Sequence, residues 1–207
     1  LAWMKCADGK LDGGISKFFP ELLQKDMIAQ LGIKNDSVLF MVGDISTTVF
    51  SALGALRIEL AKRENLIDTN AWAPLWVVDF PLVEWNEDKN RWDALHHPFT
   101  SPNLEDLDKL DKTPGDVRSF GYDVIMNGYE LGGGSIRIHN RDLQARIFKL
   151  LGISDDEVQE KFGFLMDAFK FGAPPHGGMA FGFDRIVMLL AGSNQIRDVI
   201  AFPQTTS

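Results

Sequence analysis

The segment from Pro174 to Leu190 constrains the fold of this chain more than any other. It has glycines at the start and in the middle of a short apolar stretch, then an acid, an arginine and an unbroken apolar run. This order is typical of a strand, a tight turn and a buried helix. We expect Asp184 to cap that helix and Arg185 to lie in its first turn.

Arg185 is unusual there, because a cation at a helix N-terminus opposes the helix macrodipole. Its position indicates that something outside the helix uses the guanidinium, which can stack on an aromatic base and hold phosphate oxygens. A surface arginine paired with Asp184 is the alternative, and this segment alone favours neither interpretation.

Composition limits the class of protein. Of the 207 residues, 45% are hydrophobic and 24% are charged, which is typical of a globular chain with a sizeable core. No apolar run is long enough to cross a bilayer, so we expect no membrane partner. The formal charge of −8 argues against gripping nucleic acid with the whole surface. The single cysteine, Cys6, excludes an internal disulfide and indicates a reducing, cytoplasmic location.

Two blocks are expected. Residues 1–73 predict a small α+β unit with a short helix stopped by Gly32, a buried strand at 37–43 and a helix over 47–65. The expected elements of the second block are a strand at 75–81, a polar hairpin at 84–93, a solvated surface segment at 104–118, helices over 142–151 and 154–171 (the second with a Ser154–Glu157 capping box), and a last core strand at 197–203.

A hairpin is expected around Asn127-Gly128, because this pair favours the positive φ angles of a two-residue type I′ turn. The turn would pair Asp123 with Gly132 and place Asp123 and Glu130 on one face of the ribbon. Two carboxylates in that arrangement can share a hard divalent cation such as Mg²⁺.

Three glycines, Gly132, Gly133 and Gly134, continue the second strand of this hairpin. Glycines weaken a strand and indicate a bulge or a place where a ligand lies flat on the backbone. Strict alternation would put Glu130 and Arg137 on opposite faces. We therefore predict a one-residue bulge in the glycine run that brings both side chains to the same face.

The pair His96-His97 is a weak candidate for a zinc site, because adjacent residues of an extended segment point to opposite faces. The other candidate ligands, Cys6, His139 and His176, show no ligand spacing. We expect one histidine to contact an anionic group and the other to pack. The sequence has no dinucleotide-binding fingerprint and no P-loop. A nucleotide would therefore bind on a sheet surface, with arginines and an acid-held metal.

Four stretches of the chain resemble a known family. Residues 177–185 resemble the third signature motif of class II aminoacyl-tRNA synthetases, and residues 96–102, 127–140 and 196–203 narrow the resemblance to the bacterial aspartyl type. The motifs occur in the family's order, and the resemblance covers nearly the whole chain. It implies an α+β fold in which an antiparallel sheet with packed helices forms the C-terminal half of the catalytic domain.

The same resemblance implies a domain division. Residues 1–73 would be the C-terminal part of the bacterial insertion domain, and residues 74–207 the C-terminal half of the catalytic domain. The family's first and second motifs, its anticodon-binding barrel and its dimer motif would lie outside this sequence. We therefore expect a fragment that holds about half of an active site and is inactive alone.

The implied partners are ATP, Mg²⁺, L-aspartate and tRNA(Asp), in a parent enzyme that is a homodimer. The residues implied to bind ATP are Glu130, Gly182, Phe183, Asp184 and Arg185. Arg185 would stack on the adenine, and Asp123 and Glu130 would hold Mg²⁺ against the phosphates. We take Arg185 and Glu130 as the catalytic residues.

The residues implied to bind L-aspartate are His96, His97, Gly132, Gly133, Gly134 and Arg137. Arg137 would grip the side-chain carboxylate, and the histidines would help to close over the amino acid. The aspartate α-carboxylate would attack the α-phosphorus of ATP, and transfer to the tRNA would follow. This chemistry needs no protein nucleophile, because positioning and charge stabilisation carry it.

Two other functions remain open on the sequence alone. The parent could be a related class II ligase of the asparagine type, although the His96-His97 segment and the inserted block favour the aspartate enzyme. Residues 1–73 could instead be a non-catalytic tRNA-binding or interaction module, and their lack of a basic stripe argues weakly against that. The sequence also leaves open whether the parent charges tRNA(Asn) as well.

Overall fold

A computed structural model describes residues 1–203 and divides the chain into two compact units. The first is Leu1–Ala71 and the second begins at Trp72, two residues before the expected start of the second block at residue 74. The assignment of these units to an insertion domain and a catalytic domain stays a prediction. No helix among the described residues is both long enough and apolar enough to span a membrane.

The first unit is a three-stranded antiparallel sheet with two helices. Its elements are β1 (Ala2–Ala7), β2 (Lys10–Asp12), α1 (Glu21–Leu31), β3 (Val38–Met41) and α2 (Ser46–Arg63). The strand order is β2-β1-β3, so β3 is an edge strand and only half-buried, where we expected a buried one. Helix α1 ends as expected at Gly32, whose φ of 61° is the left-handed conformation that glycine tolerates best.

The second unit is built on a four-stranded antiparallel sheet, as expected. Its strands are β4 (Pro74–Val78), β5 (Val83–Asn86), β6 (Arg91–Ala94), β7 (Gly121–Met126), β8 (Tyr129–Ile136) and β9 (Gly177–Phe181). The four-stranded sheet has the order β4-β7-β8-β9, and β5 and β6 form the expected separate hairpin. The helices are α3 (Arg141–Leu150), α4 (Asp155–Ala168) and α5 (Phe183–Leu190).

Side-chain caps set the starts of α3 and α4. Asn140 accepts a hydrogen bond from the backbone N–H of Leu143 at 3.0 Å, and Ser154 accepts one from Glu157 at 3.3 Å. The Ser154 cap is confirmed, but Glu157 pairs with Lys161 at 2.6 Å. Helix α3 then buries its apolar face in the main core of this unit, which consists of Leu82, Val83, Leu110, Val117, Ile138, Ile147 and Leu151.

The prediction of a solvated segment at 104–118 was wrong. Leu110 and Val117 belong to the core, and Asp106 is only 2% exposed. The carboxylate of Asp106 tolerates burial because it accepts two hydrogen bonds. Arg118 Nε donates one at 2.8 Å, and Lys109 Nζ donates the other at 2.7 Å. A buried carboxylate with two cationic donors satisfies the rule that buried charges are paired.

The expected last strand at 197–203 was also wrong. Ile196–Asp198 forms a single turn of 3₁₀ helix, and no strand follows it within the described residues. The Ser193 hydroxyl donates to the Asp198 carboxylate at 2.6 Å, and the Asp198 backbone N–H donates to the Gln195 carbonyl. These local bonds hold the backbone in a curled conformation that hydrophobic patterning did not reveal.

Replacing Asp106 with asparagine is expected to lower the melting temperature of this unit by several degrees, because Arg118 and Lys109 would lose their buried counter-charge. Hydrogen bonds from Arg118, and then from Lys109, hold the pKa of Asp106 well below its usual range. The stability from this pair is therefore fully present above about pH 4 and is lost as the pH falls toward the folded-state pKa. Thermal melts should show a gap between wild type and Asp106→Asn at pH 7 that narrows at pH 3. An equal gap at both pH values would contradict the ion-pair account.

Candidate active site

A cavity of about 490 Å³ lies in the second unit. The loop from His96 to Thr100, strands β7 and β8, and the turn between β9 and α5 form its walls. Every predicted site residue except Phe183 and Asp184 lines this cavity. The chain thus brings residues far apart in sequence to one place, as a binding site requires.

The hairpin that carries the carboxylates forms as expected at its turn. Asn127 and Gly128 have φ angles of 51° and 85°, and Ile125 lies opposite Glu130. Beyond that pair the register shifts by one residue, so that Asp123 lies opposite Gly133. The predicted pairing of Asp123 with Gly132 was therefore wrong.

The register shift is the one-residue bulge that we expected, but it falls at Leu131, before the glycine run. An extra residue on one strand reverses the alternation beyond it, which is how Glu130 and Arg137 both come to line the cavity. The glycines then allow close approach, since a Cβ at Gly133 would overlap the Asp123 carboxylate.

Gly134 faces the backbone of β9, and a Cβ there would overlap the Gly178 carbonyl oxygen. We expect Gly134→Ala to break the pairing of β8 with β9 and to lower the melting temperature of the unit by roughly 10 °C or more. Gly178→Ala is the matched control, because a Cβ at Gly178 meets nothing within 4 Å. Melts in which the two variants are equally stable would contradict the close strand approach.

The surroundings of Asp123 in the cavity disfavour its charged form. Burial raises the pKa of Asp123, the charge of Glu130 raises it further, and His96, with Nε2 3.9 Å from Asp123 Oδ2, opposes both. No group of three or more metal-ligating side chains occurs among residues 1–203. Mg²⁺, however, commonly takes one or two carboxylates together with substrate phosphates. Asp123 and Glu130 supply suitable hard oxygen donors, so these residues fit Mg²⁺.

Arg185 lies in the first turn of α5, as expected, but the predicted Asp184 cap was wrong. Gly182 occupies the cap position, because its N–H pairs with the Leu131 carbonyl at 2.7 Å and the chain turns there. Asp184 lies inside the first turn, where its charge favours the macrodipole. The expected buried helix is only partly buried, since Met188 is 2% exposed but Phe183 is 75% and Leu190 71% exposed.

The guanidinium of Arg185 reaches across to the hairpin. Its Nη1 donates to the Glu130 backbone carbonyl at 2.7 Å and lies 3.5 Å from the Glu130 carboxylate. Its contacts are thus with Glu130 rather than with Asp184, and its side chain keeps 45% of its surface exposed. The planar face of a guanidinium held in this way can stack on a base.

Arg137 contributes a cation with spare hydrogen-bonding capacity. Its Nη1 is buried and has no hydrogen-bond partner among residues 1–203. A buried charged donor without a partner is costly, so this atom favours an anionic ligand in the cavity. A carboxylate suits it best, because the guanidinium fork can bind both carboxylate oxygens.

Both histidines line the cavity. His96 packs edge-on against Phe80, with ring centroids 4.5 Å apart, and faces Asp123. His97 Nδ1 accepts the backbone N–H of Phe99 at 3.2 Å. Burial, and then the nearby charge of Arg137, lower the pKa of His97, so it is neutral at neutral pH.

Two hydroxyls of the cavity were missed from the sequence. Thr100 Oγ1 donates to Ser135 Oγ at 3.1 Å, and both residues are almost completely buried. Both lie inside stretches that carried the resemblance. Serine and threonine are too common for their positions alone to have been a signal.

Comparison with known proteins places the chain in a family. A family model described as "tRNA synthetases class II (D, K and N)" matches residues 9–206. The chain therefore belongs to this family of class II tRNA synthetases.

Among curated relatives, an aspartate–tRNA ligase of Staphylococcus carnosus is 51% identical over 207 residues, which are 100% of this chain and 35% of that protein. An aspartate–tRNA(Asp/Asn) ligase of Caldanaerobacter subterraneus is 51% identical over 99% of the chain, again 35% of its own length. The resemblance to aspartyl-type enzymes is confirmed, and the chain spans about a third of these relatives. An aspartyl-tRNA synthetase of Entamoeba histolytica aligns with a TM-score of 0.49 at 25% identity, over 86% of this chain and 29% of that one.

Proposed function

We propose that the protein carrying this chain is an aspartate–tRNA ligase that activates L-aspartate with ATP and transfers it to tRNA(Asp). One observation carries this proposal: a single cavity combines a carboxylate pair, two arginines and a glycine floor. The 51% identity to aspartate–tRNA ligases over the whole chain supports it.

At the nucleotide end of the cavity, Arg185 stacks on the adenine, and its hydrogen bond to the Glu130 carbonyl fixes the position of the guanidinium. Asp123 and Glu130 would hold Mg²⁺, which would neutralise phosphate charge when bound. Gly182, which caps α5 and lines the cavity, lies beside the adenine, and Phe183 and Asp184, which follow it outside the cavity lining, are not assigned a contact with ATP.

At the amino-acid end, Arg137 binds the side-chain carboxylate of aspartate with the buried Nη1. A guanidinium favours a carboxylate over a neutral amide, so this residue favours aspartate over asparagine. Gly133 and Gly134 form part of the flat floor on which the substrate lies, and His96 and His97 form part of the wall. The aspartate α-carboxylate then attacks the α-phosphorus of ATP, and the protein contributes position and charge.

The remaining proposals concern the whole protein. The enzyme acts as a homodimer in the cytoplasm, with tRNA as the acceptor substrate. Because this chain spans 35% of its relatives' length, we propose that residues 1–207 alone do not form the adenylate.

ATP–pyrophosphate exchange tests the proposal. The full-length protein should catalyse exchange that depends on L-aspartate, with asparagine at least about 100-fold less effective, as expected when a carboxylate–guanidinium pair is replaced by a neutral contact. Residues 1–207 alone should show none. Equal exchange with asparagine would favour the asparagine-type alternative, and exchange by the 207-residue chain would show that it holds a complete site.

A further inference from the structure

Gln144 of α3 is buried more completely than its chemistry explains. The residue is 0% exposed, although it lies on a helix whose other buried residues are apolar. Its Nε2 donates to the Pro98 carbonyl at 2.9 Å, while its Oε1 has no hydrogen-bond partner among residues 1–203. Burying the amide oxygen without a hydrogen-bond partner is unfavourable. The hydrogen bond that the amide nitrogen makes therefore indicates why a glutamine lies at this position.

Pro98 belongs to the loop that carries the two histidines of the cavity. This loop is joined by successive backbone bonds to residues 136–138, which include Arg137 just past the end of β8: the Ser101 N–H donates to the Ile136 carbonyl, and the Ile138 N–H donates to the Phe99 carbonyl, both at 2.9 Å. The next carbonyl along the loop is that of Pro98, and Gln144 supplies its donor. The glutamine therefore extends the junction by one bond, directly beside His97.

Aromatic packing against α3 and α4 also holds this loop. The Phe99 ring lies 5.9 Å from Phe148 of α3 and 5.2 Å from Phe162 of α4. These contacts fix where the loop lies, but they do not fix how its backbone is rotated. A directional hydrogen bond to the Pro98 carbonyl can fix that rotation.

We propose that Gln144 is a positioning residue for the amino acid, which acts by holding the Pro98 carbonyl and so sets the distance between His97 and Arg137. This inference rests on the proposed function for its substrate, and on the hydrogen bonds above for its geometry. Gln144 touches neither substrate nor metal, so its loss moves the histidine wall without removing a binding group.

Gln144→Met in the full-length protein tests this, since methionine keeps the length and removes the donor. The KM for aspartate should rise about 10-fold, as expected for one lost buried hydrogen bond, while the KM for ATP changes less than about 2-fold. Ile147→Ala is the matched control, because this buried residue on the same helix belongs to the apolar core. It should lower the melting temperature and leave the KM for aspartate unchanged.

Amide hydrogen exchange gives a readout that does not depend on activity. Gln144→Met should accelerate exchange at Phe99 and Thr100, and Ile147→Ala should not. Unchanged exchange at both amides would overturn the proposal, and so would equal rises in the KM for aspartate and for ATP. Wild-type protein that shows no aspartate-dependent pyrophosphate exchange would overturn the proposed function instead. The amide hydrogen exchange rates would still decide whether Gln144 orders the loop.

Discussion

Arg137→Met is expected to reduce kcat/KM for aspartate in pyrophosphate exchange by roughly 1000-fold in the full-length protein, the size typical of losing one partner of a desolvated charge pair. The reason is geometric: the buried Nη1 has no partner among the described residues, so the substrate carboxylate is the group it would bind. The KM for ATP should change little, because Arg137 lies on the amino-acid side of the proposed arrangement.

Two further variants sharpen this result. Arg137→Lys keeps the charge but loses the planar fork, so it should recover only part of the activity. Arg146→Met removes an exposed arginine of α3 that pairs with Asp111 at 2.8 Å outside the cavity, and it should behave like wild type. A loss in Arg137→Met that fell on ATP binding alone would contradict the assignment of this residue to aspartate.

The second large effect concerns the nucleotide. Arg185→Ala is expected to raise the KM for ATP and to lower kcat/KM for ATP by roughly 100-fold, because a cation stacked on the base and anchored to Glu130 is lost. Arg185→Lys should not restore this activity, since an ammonium group cannot stack as a plane. The KM for aspartate should stay within about 2-fold in both variants, as expected when only the ATP-binding free energy changes. Full activity of Arg185→Lys would show that charge alone suffices and would contradict stacking.

Local chemistry was readable from the sequence where one residue type dominates a local conformation. Gly32 ends α1 and Asn127-Gly128 closes the hairpin, because each position needs a positive φ. Ser154 caps α4 for an equally local reason. These features depend on neighbours in sequence, and the structure has each where it was expected.

Features that depend on distant neighbours were not readable. The bulge lies at Leu131 rather than among the glycines. Its position was not predictable, because glycines carry no side chains that reveal the register of a strand. In the segment 104–118, charged residues alternate with leucines, which is also the pattern of an exposed segment. Leu110 and Val117 nevertheless belong to the core, and Asp106 is buried beside Arg118. The edge position of β3 likewise follows from strand order, which local patterning does not contain.

The candidate site shows the same division. Asp123 and Glu130 were placed on one ribbon face from the turn type alone, and both line the cavity, although the pairing partner of Asp123 differed. The partner of Arg185 was missed, because the Glu130 carbonyl is a backbone atom of another element. Gln144 was missed because a polar residue within an amphipathic helix normally faces solvent.

In the proposed arrangement, one cavity holds both the aspartyl group and the adenosine monophosphate part of the adenylate. Titration calorimetry with a non-hydrolysable aspartyl-adenylate analogue, carried out on the full-length protein, tests this most directly. The analogue should bind at least about 100-fold more tightly than its asparaginyl counterpart, and Arg137→Met should abolish that preference. Equal affinity for the two analogues in the wild type, or a preference that survives Arg137→Met, would contradict the account.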